Sequence, residues 1–400
     1  MRPRALLAIA LVASAASTDC GASMALSRGA FNEASPPVSR AGIVRVDWHR
    51  RIADWTTIAY RPATHGRPAF DPVRHVVYIG SNDNGLYSLR SGDASVLWRF
   101  ETLGRVDSSP VIDGDLVIFG SADGAVYALD AVTGRMRWRF ATSAEVIRAP
   151  LVFNDTVYFV NANDIVTAVS RADGTQRWRY RRTAPGGITL SGHAGLLRVA
   201  GRIYTGFSDG NVVALDAGDG SVAWEQDTSS DLENIEARNE AHEAIDVDTT
   251  PVAIGDTVYV ASFTAGVYAL DAISGTRRWR RDDVTQVAGL GTDQHHLYAA
   301  SARSGLVKLD PYDGTVLWAR GLGGTVQGVV AVPGGILAVP MAERGMWFVR
   351  STDGEPVDGL RPGSGFASLP SVYGQQVFVA SNGGEVYSLR LTPIQTGTLQ

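Results

Sequence analysis

The chain has 400 residues, 45% of them apolar and 19% charged, with 44 glycines and a formal net charge of −5. That composition describes a folded, turn-rich globular protein and excludes a disordered chain or a bundle of membrane spans. Phosphate binding needs a basic face, so the acidic balance and the lack of a basic cluster in the body exclude a nucleic-acid partner.

The first twenty residues read as an export signal. Arg2 and Arg4 form a positive start, residues 5–13 an apolar stretch, and residues 13–17 a run of Ala and Ser. Nine apolar residues are too few to cross a bilayer. Cys20 is the only cysteine, which rules out an internal disulfide and any multi-cysteine metal site. Followed by Gly21, it invites lipidation by a diacylglyceryl group. Ser17, Thr18 and Asp19 depart from the small residues that usually precede such a cysteine. Cleavage near Ala15, leaving a free thiol, is the other reading. Residues 21–42 form a Ser/Ala/Pro-rich tether, residues 43–392 the folded body and residues 393–400 a loose tail.

Within the body, Val126-Tyr127-Ala128-Leu129-Asp130, then Gly134 and Trp138, returns as Val267-Tyr268-Ala269-Leu270-Asp271, Gly275 and Trp279. The apolar residue that closes each copy is Leu89, Leu129, Val169, Leu215, Leu270, Leu309, Val349 and Leu389, giving eight copies at intervals of 40, 40, 46, 55, 39, 40 and 40. A period near 40 built from strands is the signature of a propeller with one four-stranded blade per repeat. In one copy the strands fall at 109–112, 116–119, 125–130 and 135–140, the first three each ended by a turn containing glycine.

The last copy stops after Leu391 with three strands, while residues 43–48 form a fourth-type strand with no blade before it. Joining them yields an all-β, eight-bladed propeller of four antiparallel strands per blade, closed by the N-terminal strand. In the seventh copy residues 355–361 replace the Trp-bearing strand, a local weakening. The tryptophans at 48, 98, 138, 178, 224, 279 and 318 read as packing between blades, each worth about 2–3 kcal/mol of burial. The Asp-Gly pairs read as turns, because no run alternates acidic ligands as a calcium loop does. The histidines show no metal spacing, and a strand through His295 and His296 sends their rings to opposite faces. No catalytic arrangement emerges.

The unit Ala-Leu-Asp-Ala-x-[Thr/Ser]-Gly-x-x-x-Trp resembles the quinoprotein (PQQ-like) repeat, shared by PQQ-dependent dehydrogenases and by the cofactor-free BamB family of outer-membrane assembly lipoproteins. The dehydrogenases imply a vicinal Cys-Cys pair and a calcium site beside a catalytic Asp; Cys20 alone cannot supply the pair. The BamB family fits residues 43–391. Residues 245–252 (Ile-Asp-Val-Asp-Thr-Thr-Pro-Val) are similar to its Asp-Val-Asp-Thr-Thr-Pro-Val segment, and residues 188–192 to its Leu-Ser-Leu-Arg-Gly segment. The resemblance implies a scaffold without cofactor at the periplasmic face of the outer membrane. It would dock on the POTRA domains of the barrel-insertase subunit and offer edges to nascent outer-membrane proteins. The implied contacts are Ile188, Leu190, Asp246 and Asp248, with Ser191 standing where the family has Arg. A PQQ-dependent dehydrogenase, or a secreted or sensor-associated propeller with another ligand, are the alternatives.

Independently of the resemblance, the two long intervals point to extended connections at 181–195 and 227–250. Extra length in a propeller goes to loops on a rim, where binding concentrates. Residues 225–248 hold nine acids against one base, Arg238. Either this is a solvated loop, with a capping-box helix over 232–245, or it is an acidic rim that meets a basic partner. Ile188 and Leu190 beside it are either exposed anchors or core.

Overall fold

A computed structural model describes residues 42–53, 65–182, 194–228 and 246–392. They form eight four-stranded antiparallel sheets, each pairing its strands in sequence order except the last. Blade 1 covers Ala69–Glu101 by its outermost strands, blade 2 Val111–Ala141, blade 3 Leu151–Arg181 and blade 4 Leu197–Asp227. Blade 5 covers Val252–Arg281, blade 6 Val287–Arg320 and blade 7 Val330–Leu360. Blade 8 combines Ser371–Tyr373, Gln376–Ala380 and Glu385–Leu391 with Val44–Arg51, which pairs antiparallel from Val44 against Leu391 to Arg51 against Glu385. The expected closure by the first ordered strand is therefore present.

Local chemistry explains why each repeat folds this way. In blade 2 the turn between third and fourth strands is nucleated by Asp130, whose Oδ1 accepts the amides of Val132 and Thr133 at 3.1 and 2.8 Å. Gly134 then takes φ +69°, a left-handed conformation cheap only for glycine. Second and third strands are buried along their length, whereas the fourth alternates exposed and buried positions. A β-bulge sits just before the tryptophan of the fourth strand, as at Ala128/Leu129 opposite Trp138, and bulges re-aim side chains.

The core has no single centre. Eight clusters of buried side chains each join two neighbouring blades, from blades 1 and 2 through to blades 8 and 1. Within seven of these contacts the indole N–H of one blade donates to a backbone carbonyl of the next. These bonds are Trp48 to Ser91 (2.7 Å), Trp98 to Ala131 (3.3 Å), Trp138 to Arg171 (2.8 Å) and Trp178 to Ala217 (3.0 Å). The series continues with Trp224 to Ala272 (3.0 Å), Trp279 to Pro311 (2.9 Å) and Trp318 to Ser351 (3.2 Å). In the turns that receive the other six indoles a glycine lies against the ring, where a Cβ on Gly220 would meet Trp178 at 2.6 Å, and the turn that receives Trp48 has Ala94 in that place.

Blade 7 breaks the series. Forty residues after Trp318 its fourth strand carries Asp358, and the receiving blade 8 has no turn there, only the meeting of two chain segments. Asp358 Oδ2 instead accepts the amide of Val44 at 3.0 Å, fastening the closing strand. The replaced strand is thus a cap for the closure rather than a simple weakening.

Candidate functional site

The meander fixes which end of the ring carries the long connections. Turns between second and third strands, and connections from one blade's fourth strand to the next blade's first, share one end. The segments at 54–64, 183–193 and 229–245 are all connections of this kind. Ile188, Leu190 and Ser191 lie outside the described residues, as do Cys20 and the helix expected over 232–245. What is described is the base on which those connections stand.

Arg182 holds the base after blade 3. It pairs with Asp209 of the blade 4 turn, and with Glu225 on the fourth strand of blade 4 at 2.8 Å, over the ring of Phe207. Burial works against its charge, but the two carboxylates outweigh it and hold its pKa above the usual arginine range. The connection into blade 4 is therefore anchored across two blades by one half-buried cation.

The Asp246-to-Pro251 segment enters blade 5 from the same end. Val247 is buried, and its amide donates to Phe207 O at 3.2 Å. Thr249 exchanges two 3.0 Å bonds with the backbone of Ala261, and Thr250 Oγ1 accepts from Gly195 N at 3.1 Å. Asp246 is 1% exposed and its carbonyl accepts from Phe263 N, while Asp248 is half-buried. Much of this segment's chemistry is thus architectural. The same pattern stands at Val106-Asp107-Ser108-Ser109-Pro110 of blade 2, where Arg105 Nε reaches Asp107 at 2.5 Å and Ser109 accepts from Arg67 N at 2.8 Å.

First strands approach one another around the axis, so these segments line the hub. Arg148, in the equivalent stretch of blade 3, reaches past blade 4 to donate to the backbone carbonyl of Asp248 at 3.1 Å. Burial draws its pKa below the usual arginine value, and the Asp248 charge opposes this. The sequence reading missed this bond, although Val146-Ile147-Arg148-Ala149-Pro150 carried the signal as an arginine in the slot of Ser108. His295 and His296 lie in a turn, not a strand, with both amides on Asp293 at 2.9 and 2.7 Å.

Fold and site together define an eight-bladed propeller of quinoprotein-type repeats in which the longest intervals between described strands open at one end. The family profile described as outer membrane protein assembly factor BamB matches residues 40–135, 83–320 and 266–398. The chain belongs to that family. It is 28% identical over 207 residues to the outer membrane protein assembly factor BamB of Pseudomonas aeruginosa, covering 51% of this chain and 53% of the relative. The chain thus spans about half the length of such curated relatives. The structure of BamB from Moraxella catarrhalis superposes with a TM-score of 0.73 at 18% identity, covering 87% of this chain and all of that one. Quinohemoprotein alcohol dehydrogenase from Comamonas testosteroni superposes at 0.68 with 14% identity, covering 90% and 79%. Likeness at these identities concerns the fold.

The residues present do not fit the quinone and calcium such dehydrogenases carry. One cysteine cannot form a vicinal pair, Arg148 reaches across the hub, and among the described residues no three His, Cys, Asp or Glu side chains converge as metal ligands.

Proposed function

We propose that the chain is a non-catalytic scaffold of outer-membrane protein assembly, held at the periplasmic face of the outer membrane. Its elaborated end docks on the POTRA domains of the barrel-insertase subunit, with Ile188 and Leu190 as apolar anchors and Ser191 and Asp248 as polar contacts. Asp246, buried at the foot of the same segment, sets the path of the chain there. The observation that carries this reading is the family match across the ring, together with three long intervals of sequence whose flanking strands end and begin at one end of it. The rigid base at Arg182 and Thr249 supports it further, because a preorganised surface loses less entropy on binding. The remaining surface offers strand edges to nascent outer-membrane proteins, and residues 1–20 deliver the chain with lipid on Cys20.

Capture of the insertase from solubilised membranes tests the site. Ile188→Asp with Leu190→Asp, in a protein whose circular dichroism is unchanged, reduces capture at least tenfold; undiminished capture refutes the docking surface. Mass spectrometry of the mature N-terminus finds a diacylated Cys20, and an unmodified thiol refutes the anchor.

A further inference from the structure

One position of every blade meets its counterpart in the next blade around the hub. In blade 1 it is Arg67, two residues before Ala69, the first-strand partner of Tyr78. By the same register blades 2, 3, 5 and 8 place Ser109, Ala149, Thr250 and Leu369 there, and blades 4, 6 and 7 a glycine. Neighbours in this collar touch. The Arg67 amide donates to Ser109 Oγ at 2.8 Å and the Gly195 amide to Thr250 Oγ1 at 3.1 Å. A Cβ on Gly328 would meet Leu369 Cδ2 at 2.5 Å. Six of the eight members are small and neutral, and Ala149 and Thr250 are exposed, so solvent enters the collar.

Arg67 is its one charged member. The residue is half-buried, and its Nε is shut off from solvent without a hydrogen-bond partner. Among the described residues no carboxylate pairs with it. Burial draws its pKa below the usual arginine value and no charge opposes this, whereas Asp248 does so for Arg148. Asp107, two residues before Ser109, is already taken by Arg105 and, at 3.4 Å, by His65. Burying a cation without a partner costs stability, and a bound anion would return it. Ser109 Oγ accepts from the Arg67 amide, which leaves its own proton free to donate. Thr250 stands in the same state. The collar thus offers positive charge and hydroxyl donors, and none of its side chains is acidic.

We propose that the collar at Arg67 is a binding site for a phosphate group. A guanidinium bonds two oxygens of an oxyanion at once, and the adjacent Ser109 hydroxyl is left for a third. A phosphate group supplies three such oxygens; a carboxylate has only two. The site belongs to the hub and does not depend on docking of a protein partner.

Phosphorus NMR titration of the purified full chain, in buffer free of other oxyanions, tests this. Saturable binding of inorganic phosphate with a Kd on the order of 1 mM is expected for so few atoms. Acetate competes at least tenfold more weakly. Arg67→Met loses the saturable binding, while Arg135→Gln, which removes an exposed arginine from a blade 2 turn, keeps it. In phosphate-free buffer Arg67→Met melts no lower than the parent, because an unpaired charge has left the interior. Glycerol phosphate that binds as tightly as the inorganic ion assigns the site to an esterified group, such as a lipid headgroup. Binding at least tenfold weaker assigns it to the free ion. Absence of saturable phosphate binding, equal competition by acetate, or unchanged binding in Arg67→Met overturns the proposal.

Discussion

Replacing Gly220 by alanine tests how far the indole contacts hold the ring together. The added Cβ lies 2.6 Å from Trp178 Cε3, well inside contact distance, and the backbone there has φ +76°. Left-handed geometry at a non-glycine residue costs about 1–2 kcal/mol. Moving the ring also breaks the 3.0 Å bond from Trp178 to Ala217 O, worth about 0.5–1.5 kcal/mol. Tyr158 keeps that carbonyl bonded at 3.0 Å, so no acceptor is orphaned and the sum stays near about 2–3 kcal/mol. Gly92 of blade 1 stands two residues before the matching turn position, which Ala94 fills at φ +58°, and has nothing within 4 Å of its would-be Cβ. Gly92→Ala should therefore stay within about 0.5 kcal/mol of the parent. Urea unfolding followed by tryptophan fluorescence compares the midpoints at constant slope. Coincident midpoints for the two variants would refute the reasoning.

At the closure, Asp358→Ala removes the acceptor for the Val44 amide and should cost about 1–3 kcal/mol, with faster hydrogen exchange over residues 43–51. Asp358→Asn keeps an oxygen and should cost clearly less; equal exchange in both variants argues against the cap. Asp293 supplies a pH signature. Burial raises its pKa, but the Tyr298 hydroxyl and the amides of His295 and His296 outweigh this and hold it at about 2 against an ordinary 3.8. A depressed carboxyl stabilises fully above its unfolded value, so this contribution is intact above pH 3.8 and declines as pH falls toward about 2. The stability gap between parent and Asp293→Asn should narrow over that window in acid titrations of the melting temperature. A gap that stays constant shows that those bonds do not favour the charged form.

Strands and turns were legible because each break carries its own chemistry, an Asp that caps two amides and a glycine that turns left-handed. Ring closure was legible because residues 43–48 had the pattern of a fourth strand and no neighbours. The receiving partners of the tryptophans were not, since they are backbone carbonyls and have no sequence signature. Asp358 was visible only as a missing Trp; that it serves the Val44 amide depends on the seam having two chain segments where other blades have a turn. Arg148 joins blades separated by a hundred residues of sequence, and no local pattern encodes that reach. The Asp248 segment was read for its family likeness, while its internal match to Asp107 shows that part of the pattern serves the hub. Repeat length marked the connections at 181–195 and 227–250, whereas the one at 54–64 precedes the first counted interval and had no such mark.

Pairing of Val44 with Leu391 joins positions nearly the whole molecule apart. Bringing such distant points together carries an entropic penalty of roughly 5 kcal/mol from the logarithmic chain-length dependence alone. Seven sectors can assemble as they are synthesised, yet the eighth waits for the final strand. Until then the nascent polypeptide presents two unsatisfied sheet margins, and a ribosome stalled shortly before residue 385 would leave a horseshoe prone to associate with other copies through them.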